Sequence, residues 1–520
     1  MTQGAWARVL PWLFFGSLVL PVHPGWLDFE QVRRGLLLLL SGSLLALGPR
    51  LAPARGERAL LLFSAWLVLA ALVAAIAGSW GAAGDEVSSF QPWEALLRVA
   101  HFAALPIVLR VAASAGSAVP AVVVVTLLAS LFGVLQRLGV AAFAGYGEPS
   151  QPVSLFGNLN VAAEFVAVAA TAIGSRLPAL QGRWRLAAVG ALALSGAYLV
   201  INQSRSGLVA LPLGLALVAW FHRRERGWFA LAAALSGALC GALIALLSPA
   251  ATRSAHENPL HAGAPRTAPS TLEVRYEIAK GTSRLFAESP VFGQGPGQFA
   301  VQYPRVRTER EIELSSFSRQ FATEVRTAHD DWLELLIDGG LPALLAFVAA
   351  LFALQRGQRD RSRLAPMFVL LLLMLVRAPL GNAPAVVLAF WWAAAPALPR
   401  RSLSPLLYRS LALAAGLSLA VLGLVPVVAN TLFAPYSLAR ARGEQPPVSA
   451  LAAARAFSFW EPRWYELLAQ ESLFRGDFAT AASFAAQAVR LRPFTPDYRR
   501  LHGEVLARSG RYDAAAKAAQ

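Results

Sequence analysis

Apolar runs, each near the length of a bilayer-crossing helix, follow one another along most of this chain. They fall at about 9–23, 33–48, 59–79, 92–112, 118–136, 158–175, 185–202, 206–221, 228–248, 333–355, 364–379, 383–398 and 410–433. A span needs about 20 predominantly apolar residues, so the pattern predicts an all-α, polytopic membrane protein of 12–13 transmembrane helices. Two stretches interrupt it. Residues 249–332 are hydrophilic, and residues 434–520 turn Arg- and Ala-rich with regular breaks. The expected organisation is an N-terminal bundle (1–248), a large loop (249–332), C-terminal transmembrane helices (333–433) and a helical tail (434–520).

Composition agrees with this class. Of 520 residues, 56% are hydrophobic and 15% charged, against about a quarter charged in soluble domains, and the mean hydropathy is +0.51. The net charge of +16 has the look of a nucleic-acid binder, but its distribution excludes that partner. With the N-terminus in the cytoplasm, seventeen arginines between Arg50 and Arg409 fall in inward loops. Five (Arg33, Arg34, Arg137, Arg205 and Arg377) fall in short outward ones. Basic residues favour cytoplasmic loops, so the asymmetry sets the orientation, with the large loop and the tail facing outward. The first apolar stretch lacks a basic leader and a small-residue cleavage site, and reads as the first span. The single cysteine, Cys240, excludes an intrachain disulfide and a cysteine-based metal site.

The tail repeats with a period of 34. Pro462, Trp464, Leu467, Gly476, Phe478 and Ala481 are followed by Pro496, Tyr498, Leu501, Gly510, Tyr512 and Ala515. This spacing of small and aromatic residues looks like a tetratricopeptide repeat (TPR). So short an array needs a neighbour to cover its open face. That neighbour is either a partner protein or the membrane domain itself.

Ionisable residues in membrane spans tend to face cavities, and here they gather in the outward halves. Arg98 and His101 share a helix face. Arg137 ends the fifth run, Asn158, Asn160 and Glu164 open the sixth, and Arg377 caps the eleventh. The tight turn Asn202-Gln203-Ser204-Arg205-Ser206-Gly207 leaves helix amides free beside a cation, which suits an anion. The long loop adds Arg275, Lys280 and Arg284. Phe292 to Gly297 is glycine-rich but lacks the following Gly-Lys-Ser/Thr of a nucleotide loop, so a chain-redirecting turn is expected. His329-Asp330-Asp331 opens the tenth run. Adjacent residues on a helix diverge, which disfavours a metal site. The imidazole suits a general base, and an interfacial helix cap remains the alternative.

Taken in order, Phe156-Gly157-Asn158-Leu159-Asn160, Ser204-Arg205-Ser206-Gly207, Arg275, Ser289 to Gly297, Ala328-His329-Asp330-Asp331-Trp332-Leu333 and Gly340-Leu341-Pro342 resemble the O-antigen ligase and polymerase superfamily. The likeness runs from about Val140 to Gln355. It implies a GT-C-like, inverting, metal-independent glycosyltransferase without cofactor in the bacterial inner membrane. Such an enzyme passes a glycan from undecaprenyl diphosphate to an acceptor hydroxyl (on lipid A core, a glycan or a protein) at the periplasmic face. Carried over, Arg205 and Arg275 hold the diphosphate, with Arg284 as the fallback for Arg275. His329 activates the acceptor, and Asp330, Asn158, Asn160, Ser204 and Gly207 support them. Two departures stand out: Asp330 where the family usually has Asn, and Ile278 where it commonly has Trp. A flippase for the same lipid, or a scaffold acting through its tail, are the competing readings.

Overall fold

A computed structural model of the chain describes residues 3–48, 51–81, 90–140, 152–223, 228–247, 271–316, 324–356, 358, 360–397 and 404–519. Parts of the long loop (248–270 and 317–323) and the loop arginines Arg50, Arg224, Arg226, Arg359, Arg400 and Arg401 lie outside them. The described residues form helices joined by turns. Their β pairing amounts to one isolated bridge, Ala54 to Pro396.

The first nine helices are α1 (Gln3–Val19), α2 (Phe29–Leu47), α3 (Glu57–Gly81), α4 (Pro92–Ser114), α5 (Val119–Arg137), α6 (Leu159–Arg176), α7 (Gly182–Asn202), α8 (Arg205–Phe221) and α9 (Trp228–Leu247). The long loop contributes α10 (Thr271–Glu288) and α11 (Glu309–Ser315). The membrane part resumes with α12 (Asp331–Gln355), α13 (Ala365–Met374), α14 (Ala383–Ala393) and α15 (Pro405–Ala441). The tail holds α16 (Val448–Phe457), α17 (Pro462–Phe474), α18 (Phe478–Leu491), α19 (Pro496–Arg508) and α20 (Tyr512–Ala519).

All thirteen apolar runs fold as helices, and among the described residues eight helices are long and apolar enough to cross a membrane. The runs at 364–379 and 383–398 make shorter helices than expected: one ends at Met374 ahead of the turn at Pro379–Gly381, and the other, with Pro384 in its first turn, ends at Ala393, where the chain becomes extended at Ala394. Every residue of α14 is buried. Backbone that breaks within the membrane is tolerated where protein, not lipid, surrounds it.

Close helix pairing rests on small residues. Gly35 and Gly42 on α2 face Gly423 and Gly416 on α15. A Cβ on Gly35 would stand 2.6 Å from the Gly423 carbonyl, and one on Gly42 would stand 2.4 Å from that of Gly416. With no hydrophobic drive between helices in lipid, such approach is what holds them. At 37 residues and about 1.5 Å per residue, α15 outruns a hydrocarbon core about 30 Å thick and carries the chain out to the tail.

The loops that the arginine count divides into two sets also separate in space. At one end Arg110 pairs with Glu57 at 2.6 Å and donates to the Tyr408 hydroxyl, Arg176 meets Asp360, and Arg55 donates to the Arg356 carbonyl. At the other end lie Asn158, His329, Arg377 and the tail.

The tail folds back onto that second end. Arg463 meets Asp28 at 3.2 Å, Arg492 meets Glu94 at 2.7 Å, and Trp460 stacks on Trp93 with ring centroids 4.7 Å apart. Helices α17 and α19 open on Pro462 and Pro496, the two ends of the 34-residue offset.

Candidate functional site

Between the second end of the bundle and the tail lies a cavity of about 470 Å³, within the range typical of ligand sites. Asn158, Asn160, Glu164, His329, Arg377 and Asn382 line its membrane side.

His329 sits just before α12 with φ +53°, a left-handed conformation that L-residues with a Cβ avoid. Asp330 follows as the helix cap, its Oδ1 accepting from the amides of Trp332 (2.9 Å) and Leu333 (3.0 Å). The carboxylate is therefore engaged by the helix start and does not orient the imidazole. Asn and Asp cap equally well, which explains why Asp serves where the resemblance leads one to expect Asn.

Asp331 accepts from the Leu380 amide at 2.7 Å and so fixes the turn that carries Arg377. Arg377 in turn donates to Ser206 Oγ at 3.4 Å, and Ser206 Oγ lies 3.3 Å from Ser204 Oγ. His329, Arg377 and the Ser204–Gly207 helix start thus meet at one end of the bundle.

Burial first, then the nearby guanidiniums of Arg275 and Arg377, push the His329 imidazole down to about 4. Arg275 reaches this centre because Ile278, one turn further on α10, packs in a cluster with Ala328 and Ile337. Apolar Ile278, where the resemblance favours Trp, still seats the helix. Arg284 lies nine residues from Arg275, which on a helix is half a turn away in azimuth, and it is exposed. The fallback assignment thus points away from His329.

Other expected site residues take structural duties. Arg205 is exposed at the start of α8 and does not line the cavity, although its neighbour Ser206 touches Arg377. Gly207 is a packing position: a Cβ there would press on Leu199 and Ala163. Asn158 lines the cavity while its side chain caps α6, accepting from the amides of Asn160 and Val161. Arg98 is an internal bracket, paired with Asp338 at 2.8 Å and Glu334 at 3.1 Å. Asp338 also accepts from the Gly297 amide at 2.9 Å. The glycine-rich segment is the chain-redirecting turn expected of it, tied to α12 by Gln294 N to Ile337 O (2.8 Å) and Leu341 N to Pro290 O (2.9 Å). Arg137 reaches the Ala245 carbonyl on α9, and Arg33, fully buried, donates to the carbonyls of Leu18, Leu155 and Phe156.

Two cavity residues were under-read in the sequence. Arg377 is singled out there only as a cap, and Asn382 not at all. Asn382 donates to Glu164 Oε2 at 3.1 Å and to the Val161 carbonyl at 2.9 Å. The available signal was Asn382 itself, a polar residue between two apolar runs.

Residues 190–348 match the family model described as O-antigen ligase. The O-antigen ligase match covers Arg205, Arg275, the glycine-rich turn, His329 and Asp330, and leaves out Asn158, Arg377, Asn382 and the tail. It spans less than a third of the chain. No curated protein matches the chain.

Proposed function

We propose that this protein is a membrane glycosyltransferase of the O-antigen ligase and polymerase type. It transfers a glycan from undecaprenyl diphosphate to an acceptor hydroxyl on the periplasmic side of the inner membrane. The observation that carries the reading is the placement of the His329 imidazole and the Arg377 guanidinium in one cavity wall, with Arg275 close by, at the end of a helical membrane bundle. The O-antigen ligase match over the same segment agrees with it.

In the proposed reaction the acceptor hydroxyl gives its proton to His329. Its oxygen attacks the anomeric carbon from the face opposite the diphosphate, and the carbon–oxygen bond to the carrier breaks. The electron pair leaves with the prenyl diphosphate, so configuration inverts. A diphosphate leaving group needs positive charge more than a proton. Arg275 and Arg377 supply that charge, with Arg205 at the rim and no metal. The lipid tail remains in the membrane while the glycan lies in the cavity.

The low basicity of His329 fits this order of events. Burial and, after it, the two guanidiniums hold His329 neutral, ready to accept a proton. A bound diphosphate offsets their charge and raises the basicity of the imidazole when it is needed. The tail is read as a TPR-type helical array docked on the catalytic end, and the domain limits remain those expected from sequence.

The test is transfer by the purified protein from a lipid-linked glycan to an acceptor. His329→Ala is expected to lower the rate about 10²–10⁴-fold, the usual worth of a general base, with Arg275→Ala and Arg377→Ala also strongly impaired. Wild-type rates in His329→Ala would discard the assignment. Movement of the lipid across proteoliposomes with no new glycosidic bond would replace transfer with transport.

A further inference from the structure

The tail does more than cover the bundle: it supplies part of the cavity wall. Ser458, Trp460, Glu461, Pro462 and Arg492 line the same cavity as His329 and Arg377. The cavity therefore has two chemically different halves. The half near His329 carries Arg377, one of the guanidiniums already assigned to the diphosphate. The half under the tail pairs an acceptor with a donor, Glu94 with Arg492, while the Glu461 carboxylate is already engaged by Arg463 and Gln31.

Arg492 is the telling residue. It is only 8% exposed, and one of its nitrogens, Nη2, pairs with Glu94 at 2.7 Å. Its Nε and Nη1 are buried and find no acceptor among the described residues. Buried guanidinium donors left without a partner are costly, so their position in a cavity wall points to oxygen atoms of a ligand. Beside them Trp460 is held flat by stacking on Trp93, with the rings 16° from parallel, and edge-on to Phe459.

We propose that Trp460 and Arg492, with Glu94, form a subsite for a neutral pyranose ring. A sugar presents an apolar C–H face, which an indole accepts. It also presents hydroxyls that both donate and accept, which a carboxylate and a guanidinium satisfy together. A phosphate fits poorly here, because Glu94 would repel it. The proposal rests on the transferase reading for the origin of the sugar. That origin is either the acceptor's terminal residue or a distal residue of the donor glycan. In either case the tail, which lies outside the ligase-matched segment, shapes the specificity of the site.

The test uses the full chain in lipid nanodiscs and saturation-transfer NMR. The probes are methyl glycosides of glucose, rhamnose and N-acetylglucosamine, with inorganic pyrophosphate as competitor. Saturation of pyranose C–H protons is expected in the wild type, insensitive to pyrophosphate. It should fall about 2–10-fold in Trp460→Ala, the scale of one aromatic contact, and persist in Trp460→Phe, which keeps a ring. Hydrogen exchange of the tail amides, read in parallel, confirms that Trp460→Ala keeps the tail docked. Arg492→Gln should weaken the same signal.

Transfer kinetics then separate the two sources. A raised KM for the acceptor in Trp460→Ala assigns the subsite to the acceptor sugar, and a raised KM for the donor assigns it to the donor glycan. Equal sugar saturation in wild type and Trp460→Ala, or transfer with both KM values unchanged, overturns the subsite and leaves the transferase reading intact. Sugar saturation lost in Trp460→Ala while even the wild type transfers nothing supports the subsite and rejects the transferase.

Discussion

His329 pairs a strained backbone with an acid-shifted side chain, and the two can be tested apart. A left-handed non-glycine residue costs on the order of 1–3 kcal/mol, so His329→Gly is expected to hold or raise thermal stability while abolishing transfer. Added imidazole should restore part of the rate. A lower melting temperature in His329→Gly would show that the side chain, not the strain, dominates there. The pH dependence has a defined sign. The imidazole's ordinary value of 6.5 falls to about 4, so the free protein keeps a neutral base as pH falls from 7 toward 4. The acid limb of kcat/KM should therefore break near 4, and that of kcat higher, because bound diphosphate offsets Arg275 and Arg377. Next to it, Asp330→Asn should leave stability unchanged, whereas Asp330→Ala should cost about 1 kcal/mol through the lost cap. Thermal unfolding of both variants in detergent checks this. Residue type and order pointed to His329, Asp330 and Arg275 as candidates. The cap role of Asp330 was not, because a carboxylate beside a histidine reads equally as its partner until backbone amides are placed.

At the scale of elements, α12 is the hinge of the site. Its N-terminus holds His329, and its interruption at Gly339–Gly340 seats the glycine-rich turn against it. Gly340 has φ +70°, and a Cβ there would lie 2.1 Å from the Val291 carbonyl. Gly340→Ala is expected to destabilise by at least about 2 kcal/mol, the left-handed penalty plus the clash, seen as a lowered unfolding temperature. The ion pairs that fasten α4 to α12 give a second test. Replacing Arg98 by Met leaves Asp338 and Glu334 buried without their cation, a loss of about 3–5 kcal/mol. Unchanged stability in Arg98→Met would mean that the carboxylates are protonated or hydrated instead. The sequence shows Arg98 only as a polar residue on an apolar helix. Its carboxylate partners lie 236 and 240 positions away, beyond the reach of any local pattern.

For the whole molecule, the tail is an integral lid on the cavity end of the bundle, and its docking depends on charge. Burial raises the Asp28 carboxyl, but Arg463 and Arg34 outweigh that and hold it below its ordinary 3.8. Burial likewise opposes ionisation of Glu461, and Arg463 again overrides it, keeping that carboxyl far below 4.5. Depressed carboxylates contribute stability that is complete above their ordinary values and is lost only as pH falls through the lowered ones. Tail amides should therefore show the same hydrogen-exchange protection at pH 7 and pH 5, and lose it only below about pH 4. Release of the tail between pH 5 and 6 would contradict these pairs.

The order of the apolar helices was set by the sequence alone, since each apolar run must satisfy its own backbone within lipid and does so locally. The segregation of arginines and the choice of His329 as a candidate base were open to reading for the same reason: they depend on residue type and position along the chain. What only the tertiary structure decided is which polar groups meet. Arg377 joins His329 through a turn pinned by Asp331, Arg275 faces it while Arg284 faces away, and the tail closes the cavity. Those are contacts between distant parts of the chain, and long-range packing, not local propensity, selects them.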